Sequence, residues 1–183
     1  MVNYGFVKCA IATFNSGLSN PVDATKKIKD LIRHADSRNV KVLIFPELSM
    51  TGYTCQDLFG YSQLMESTME CLRELVSFSA SYDVLFVVGA PINVSDTLYN
   101  CAIAIHAGKI HGIVPKQYLP NYGEFYEKRW FTAYTDTSIT SVNLFGENVP
   151  FGNLIFSSAA GYRLGVEICE DLWSVIPPSS YLA

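Results

Sequence analysis

Charge is scarce in this chain: Asp, Glu, Lys and Arg make up 16% of its 183 residues, and the net charge is -4. Lys and Arg never gather into a long block, which removes the electrostatic footprint of a nucleic-acid or anionic-membrane binder and leaves a small molecule as the better partner. Long apolar runs are missing too. Stretches such as 84–90 are far too short to span a bilayer, and the amino terminus shows no basic stretch followed by a long apolar one, so a soluble, cytoplasmic protein is expected. No Cys-x-x-Cys pair exists. Cys9, Cys55, Cys71, Cys101 and Cys169 are odd in number and widely spaced, which argues for reduced thiols rather than a disulfide framework or a zinc site. Repeats, low-complexity tracts and linkers are absent, and residues 1–183 read as one domain.

What remains is apolar: 49% of the residues are hydrophobic, enough for a core. The run VKCAIATF over 7–14 reads as a first strand, in which Cys9 is a small apolar residue. Asn20-Pro21 then offers a cap and a proline at the first helical position, with Asp23 in the first turn, so a helix is expected over 21–35. Its apolar positions Ala24, Ile28, Leu31, Ile32 and Ala35 recur at helical spacing, with lysines on the solvated side. A second strand over 40–45 stops at Pro46, and 52–59 lacks any period and reads as a loop. Residues 62–79 again keep helical spacing. Strands follow over 84–90, 98–106 and 110–114, the last two forming a hairpin at Gly108. Periodicity is then lost through YLPNYGEFYEKRWF, and strands return over 153–156 and 163–169. A long stretch without structure inside a compact domain is usually functional. Helix-strand alternation giving way to hairpins implies an α/β fold, with helices layered over a mixed sheet.

Glu47, Lys116 and Cys169 each close an expected strand, the place where ligand sites of α/β sheets collect. Together they allow nucleophilic acyl transfer: a thiolate attacks a carbonyl, a carboxylate carries the proton, and an ammonium stabilises the oxyanion. The ammonium is also expected to lower the thiol's pKa and make it a thiolate near neutrality. Individually each has a bland explanation, since a Glu at a strand end often caps a turn and a Lys there often snorkels outward. A competing dyad would pair Cys169 with His34, His106 or His111, but the first sits on a helix's polar side and the others flank a turn. Glu170-Asp171 is the nearest approach to a metal cluster; as neighbours in a strand they would point to opposite faces, and no metal site is assigned. The aromatic loop around Tyr122, Phe125, Tyr126 and Trp130 could simply pack onto the domain.

The blocks that carry these three residues, IFPELSMTGYTCQDLF, PKQYLPNYGEFYEKRWF and GVEICEDLW, resemble the three catalytic blocks of the nitrilase superfamily of carbon-nitrogen hydrolases. They are most similar to those of the glutaminase domains of glutamine-dependent NAD synthetases. The resemblance implies an α-β-β-α sandwich, here short at its carboxyl-terminal end, with Glu47 as general base, Lys116 stabilising the intermediate and Cys169 forming a glutamyl thioester. It implies that Glu124 positions the lysine, that Tyr53, Tyr122, Glu170 and Trp173 line the pocket, and that Glu170 receives the α-amino group of glutamine. It further implies a homo-oligomer and, as partner, a synthetase domain using ATP and magnesium, whose phosphate-binding signature is not in this sequence; no cofactor is expected in the chain itself. Two rival readings remain: a free-standing amidase for another ω-amide, and an inactive short form acting as an interaction subunit.

Overall fold

The computed structural model describes residues 5–135 and 137–183. Five strands form one sheet in the order β1 (Cys9–Ile11), β2 (Val42–Ile44), β3 (Leu85–Val94), β4 (Thr97–His106), β5 (Lys109–Pro115). The first three run parallel, Ala10 opposite Leu43 and Leu43 opposite Phe86, and the hairpins β3–β4 and β4–β5 are antiparallel. Helices α1 (Pro21–Ser37) and α2 (Ser62–Ser79) supply the two crossovers that parallel strands require.

Both helices form for the reasons visible in the sequence. Asn20 accepts the Asp23 N–H at 3.1 Å, Pro21 occupies the first turn, and Asp23 pairs with Lys27 one turn on. Ile28 and Ile32 of α1 and Leu72 and Leu75 of α2 are fully buried in one core with Leu43, Phe86, Val88 and Ile103 of the sheet. Each such side chain contributes roughly 1.5–3 kcal/mol through removal from water. α1 runs slightly past the expected 21–35, and α2 has the expected bounds.

The differences lie where apolar content and hydrogen bonding part company. β1 and β2 pair over only short spans inside longer apolar runs. β3 instead extends beyond 84–90, through Pro91, because β4 continues opposite it to the Val94–Thr97 pair. Residues 52–59 are not an open loop but tight 3₁₀ turns over Tyr53–Gly60, broken at Gln56 with φ 52°. The sequence reading missed one hairpin, β6 (Ser141–Leu144) and β7 (Glu147–Pro150), whose strands bury one side chain each, Val142 and Val149. Its turn, Phe145-Gly146, has positive φ at both residues.

The second face of the sheet, with Val87, Ala102, Ala104 and Val114, is packed by Leu154 and Phe156, Val166 and Ile168. Phe156 belongs to β8 (Ile155–Ser157), which pairs with β9 (Arg163–Gly165). Helices, sheet and this hairpin are therefore successive layers of the expected α/β arrangement. Pairing in β9 ends at Gly165, short of the expected 163–169, and the chain continues over the sheet to Ile168. That path delivers Cys169 to the sheet's carboxyl edge.

Candidate active site

Glu47 lies two residues beyond the last ladder bond of its strand, Phe45 N–H to Val87 O, in a turn where Leu48 takes φ 49°. The turn presses on β3: a Cβ on Gly89 would stand 2.2 Å from Leu48 N and 2.8 Å from Pro46 O. Glycine is what allows so close an approach. Gly89 N–H also donates to Ser49 Oγ at 3.0 Å, fixing the turn to the strand.

Lys116 follows β5 directly, its N–H bonded to Asn100 O at 2.8 Å. Its side chain is fully buried, and Nζ donates to Glu47 Oε1 at 2.6 Å and to Glu127 Oε1 at 2.7 Å. Asn100 of β4 donates from Nδ2 to the same Glu47 oxygen at 2.7 Å, and Tyr53 OH donates to Glu127 Oε1 at 2.7 Å. The ends of β2 and β5 and the 3₁₀ turn Glu127–Arg129 thus converge on one ammonium, with Asn100 holding the Glu47 carboxylate.

Burial works against the Lys116 charge, but Glu47, then the hydrogen bonds and charge of Glu127, outweigh it and hold the ammonium above its ordinary pKa. Burial pushes the Glu127 carboxyl up, although Lys116 and Tyr53 oppose that. Tyr53 is raised by burial and by its bond to Glu127. A buried ammonium paired in this way keeps its charge, which is what a stabiliser of developing negative charge requires.

Cys169 opens the 3₁₀ turn Cys169–Trp173 with φ 49°, a left-handed conformation that costs a non-glycine residue energy and clusters at functional sites. Although the residue reaches solvent, burial of the thiol raises its pKa, the Glu47 charge raises it further, and Lys116 only partly opposes them. The net direction is opposite to the lowering expected from the ammonium alone. The Glu47 charge beside the thiol is thus one of the causes of the rise.

Of the other expected residues, Glu124 is corrected. It lies exposed on the loop, and the carboxylate that meets Lys116 is that of Glu127, three residues on and 1% exposed. The backbone explains the difference: Glu127 N–H bonds to Pro120 O and opens the turn whose end carries Phe131 into the core, which draws Glu127 inward. Tyr53 is tied to Glu127. Tyr122 OH donates to the Glu170 carboxylate at 3.0–3.1 Å on the exposed side. Trp173 stands 74% exposed. Glu170 and Asp171 lie in a turn and not a strand, and Asp171 is 1% exposed. Asn100, Glu127 and Asp171 were missed as site residues; a polar residue amid the apolar run YNCAIAIH was the available signal for Asn100.

The model of the family described as carbon-nitrogen hydrolase matches residues 9–175. The chain belongs to the carbon-nitrogen hydrolase family. As a member of that family it is similar to the glutamine-dependent NAD(+) synthetase of Mycobacterium bovis, with 36% identity over 98% of this chain and 27% of that protein. The Arabidopsis thaliana protein of the same description is 31% identical over 97% of this chain and 26% of its own length. Among solved structures, a glutamine-dependent NAD(+) synthetase from Cytophaga hutchinsonii superposes with a TM-score of 0.83 at 32% identity, covering 90% of this chain and 28% of that one. An amidase from Nesterenkonia sp., at 17% identity and a TM-score of 0.69, shares the fold. The carbon-nitrogen hydrolase chain thus spans about a quarter of the synthetases it matches (27%). Among its described residues no helix is long and apolar enough to cross a membrane.

Proposed function

We propose that this carbon-nitrogen hydrolase chain removes the side-chain amide of glutamine and that the ammonia serves an ATP- and magnesium-dependent synthetase domain converting deamido-NAD to NAD. The observation that carries the reading is the Lys116 ammonium held between Glu47 at 2.6 Å and Glu127 at 2.7 Å, with Cys169 close enough to feel the charges of all three. The likeness to glutamine-dependent NAD synthetases supports the choice of glutamine.

Chemistry follows from this arrangement. Glu47 takes the Sγ proton as the sulfur bonds to the amide carbon, and the carbonyl electron pair moves onto oxygen, where the Lys116 charge stabilises it. Collapse re-forms the carbonyl and breaks the C–N bond, the nitrogen leaving as ammonia with the proton from Glu47. Water then attacks the thioester and gives its proton to Glu47; the second collapse releases glutamate and returns the proton to sulfur. Glu127 Oε2, buried and without a hydrogen-bond partner among the described residues, offers an acceptor beside this path for an N–H of the amide. Tyr122 and Glu170 form the exposed rim, where the Glu170 carboxylate suits the α-ammonium group of an amino acid.

Ammonia release from glutamine, asparagine and ureido acids tests the assignment. Turnover of glutamine far above the others supports it; preference for another amide makes this a free-standing amidase, and no turnover with Cys169 intact makes it an interaction subunit.

A further inference from the structure

Asp171 is 1% exposed and is bonded to the backbone on both sides of the site. Its Oδ1 accepts the N–H groups of Gln117 at 3.0 Å and Tyr118 at 2.8 Å, the residues that follow Lys116. Its Oδ2 accepts the N–H of Ile168, the residue before Cys169, at 3.1 Å. Asp171 N–H also donates to Ile168 O at 3.1 Å, and Ser174 Oγ closes the turn on Asp171 O at 2.8 Å.

We propose that Asp171 is a positioning residue that sets the spacing between Lys116 and Cys169. This rests on the amidohydrolase reading of the site. The two segments come from different layers, β5 in the main sheet and the chain beyond β9 packed across it, and apolar packing between Ile168 and Val114 leaves sliding along the sheet weakly resisted. Directional bonds from one planar carboxylate remove that freedom. They also hold the turn in which Cys169 keeps its left-handed φ of 49°, a conformation that persists only where the surroundings determine it. Burial raises the carboxyl's pKa, while the three backbone donors and the Lys116 charge favour the ionised form.

A residue that only caps a turn would lose stability when altered and leave the two catalytic steps in proportion. A spacer between ammonium and nucleophile acts on the transition state. Asp171→Asn separates the two: its Oδ1 can still accept from Gln117 and Tyr118, but its NH₂ meets the Ile168 N–H donor to donor. In the whole protein carrying this chain, kcat for glutamine hydrolysis is expected to fall about 10²-fold with KM near the wild-type value in protein that remains folded, the unfolding temperature dropping modestly with the lost bond to Ile168 N–H. Asp171→Glu keeps the charge but shifts both acceptors by a methylene, and is expected to show the same split, which covers the case in which the Asn variant does not fold. Wild-type kcat in either folded variant, or a loss that falls on KM, overturns the proposal. Absence of amide hydrolysis in the wild-type control would instead refute the functional reading beneath it.

Discussion

Lys116 Nζ lies 2.6 Å from Glu47 Oε1 across 69 residues of sequence, and the same nitrogen lies 2.7 Å from Glu127 Oε1. Two strand ends and one loop carboxylate meet at a fully buried ammonium. Unpaired, that charge would cost several kcal/mol, and removing one partner of such a buried pair is strongly destabilising.

Glu47→Gln separates base catalysis from binding. Turnover should fall by about 10²–10⁴-fold, the usual worth of a positioned general base. Because the Glu47 charge helps to raise the Cys169 pKa, the neutral side chain should shift the pH midpoint of Cys169 alkylation by iodoacetamide downward. An unmoved midpoint would show that the two side chains are not electrostatically coupled.

Glu127→Gln and Glu124→Gln should behave differently. The first leaves Lys116 with one carboxylate and should cost about 1–3 kcal/mol in denaturant unfolding. Misplacing the ammonium should also lower kcat by up to about 10²-fold. The second alters an exposed side chain and should stay within about 0.5 kcal/mol of wild type.

Gly89→Ala places a methyl group 2.2 Å from Leu48 N, against backbone that cannot swing aside. Destabilisation of about 1–3 kcal/mol is expected, as for overpacking elsewhere. Turnover should drop with it, since the displaced turn carries Glu47; thermal unfolding and glutamine hydrolysis measured on one preparation check both.

Glu170→Ala should act on substrate recognition. Loss of the rim carboxylate is expected to raise KM for glutamine about tenfold, equivalent to about 1.4 kcal/mol, with kcat little changed. Steady-state kinetics with glutamine and with an analogue lacking the α-amino group checks this, the analogue being insensitive to the substitution.

The strand ends carrying Glu47 and Lys116 were legible because each follows an apolar run closed by a proline, Pro46 and Pro115; Cys169 was placed at a strand end, whereas β9 stops at Gly165 and Cys169 opens the turn beyond it. Helix α1 was legible through its cap and period, α2 through its period alone. The carboxylate facing Lys116 was not: Glu124 and Glu127 share one aperiodic aromatic loop, and only the Glu127 N–H bond to Pro120 O and the burial of Phe131 decide which turns inward. Asp171 was hidden for a related reason. Read as a strand neighbour of Glu170, it appeared as half of a charged pair, whereas the turn at Cys169 sends Glu170 to the rim and Asp171 into the interior. The β6–β7 hairpin carries too little apolar alternation to be seen, its polar side chains facing solvent.

The most direct test of the central claim is mass spectrometry of the protein after incubation with a glutamine-mimicking diazo-ketone, comparing wild type with Cys169→Ala. The account expects a single adduct on Cys169, competed by glutamine and absent from the variant. An adduct on another cysteine, or none on folded protein, would contradict it.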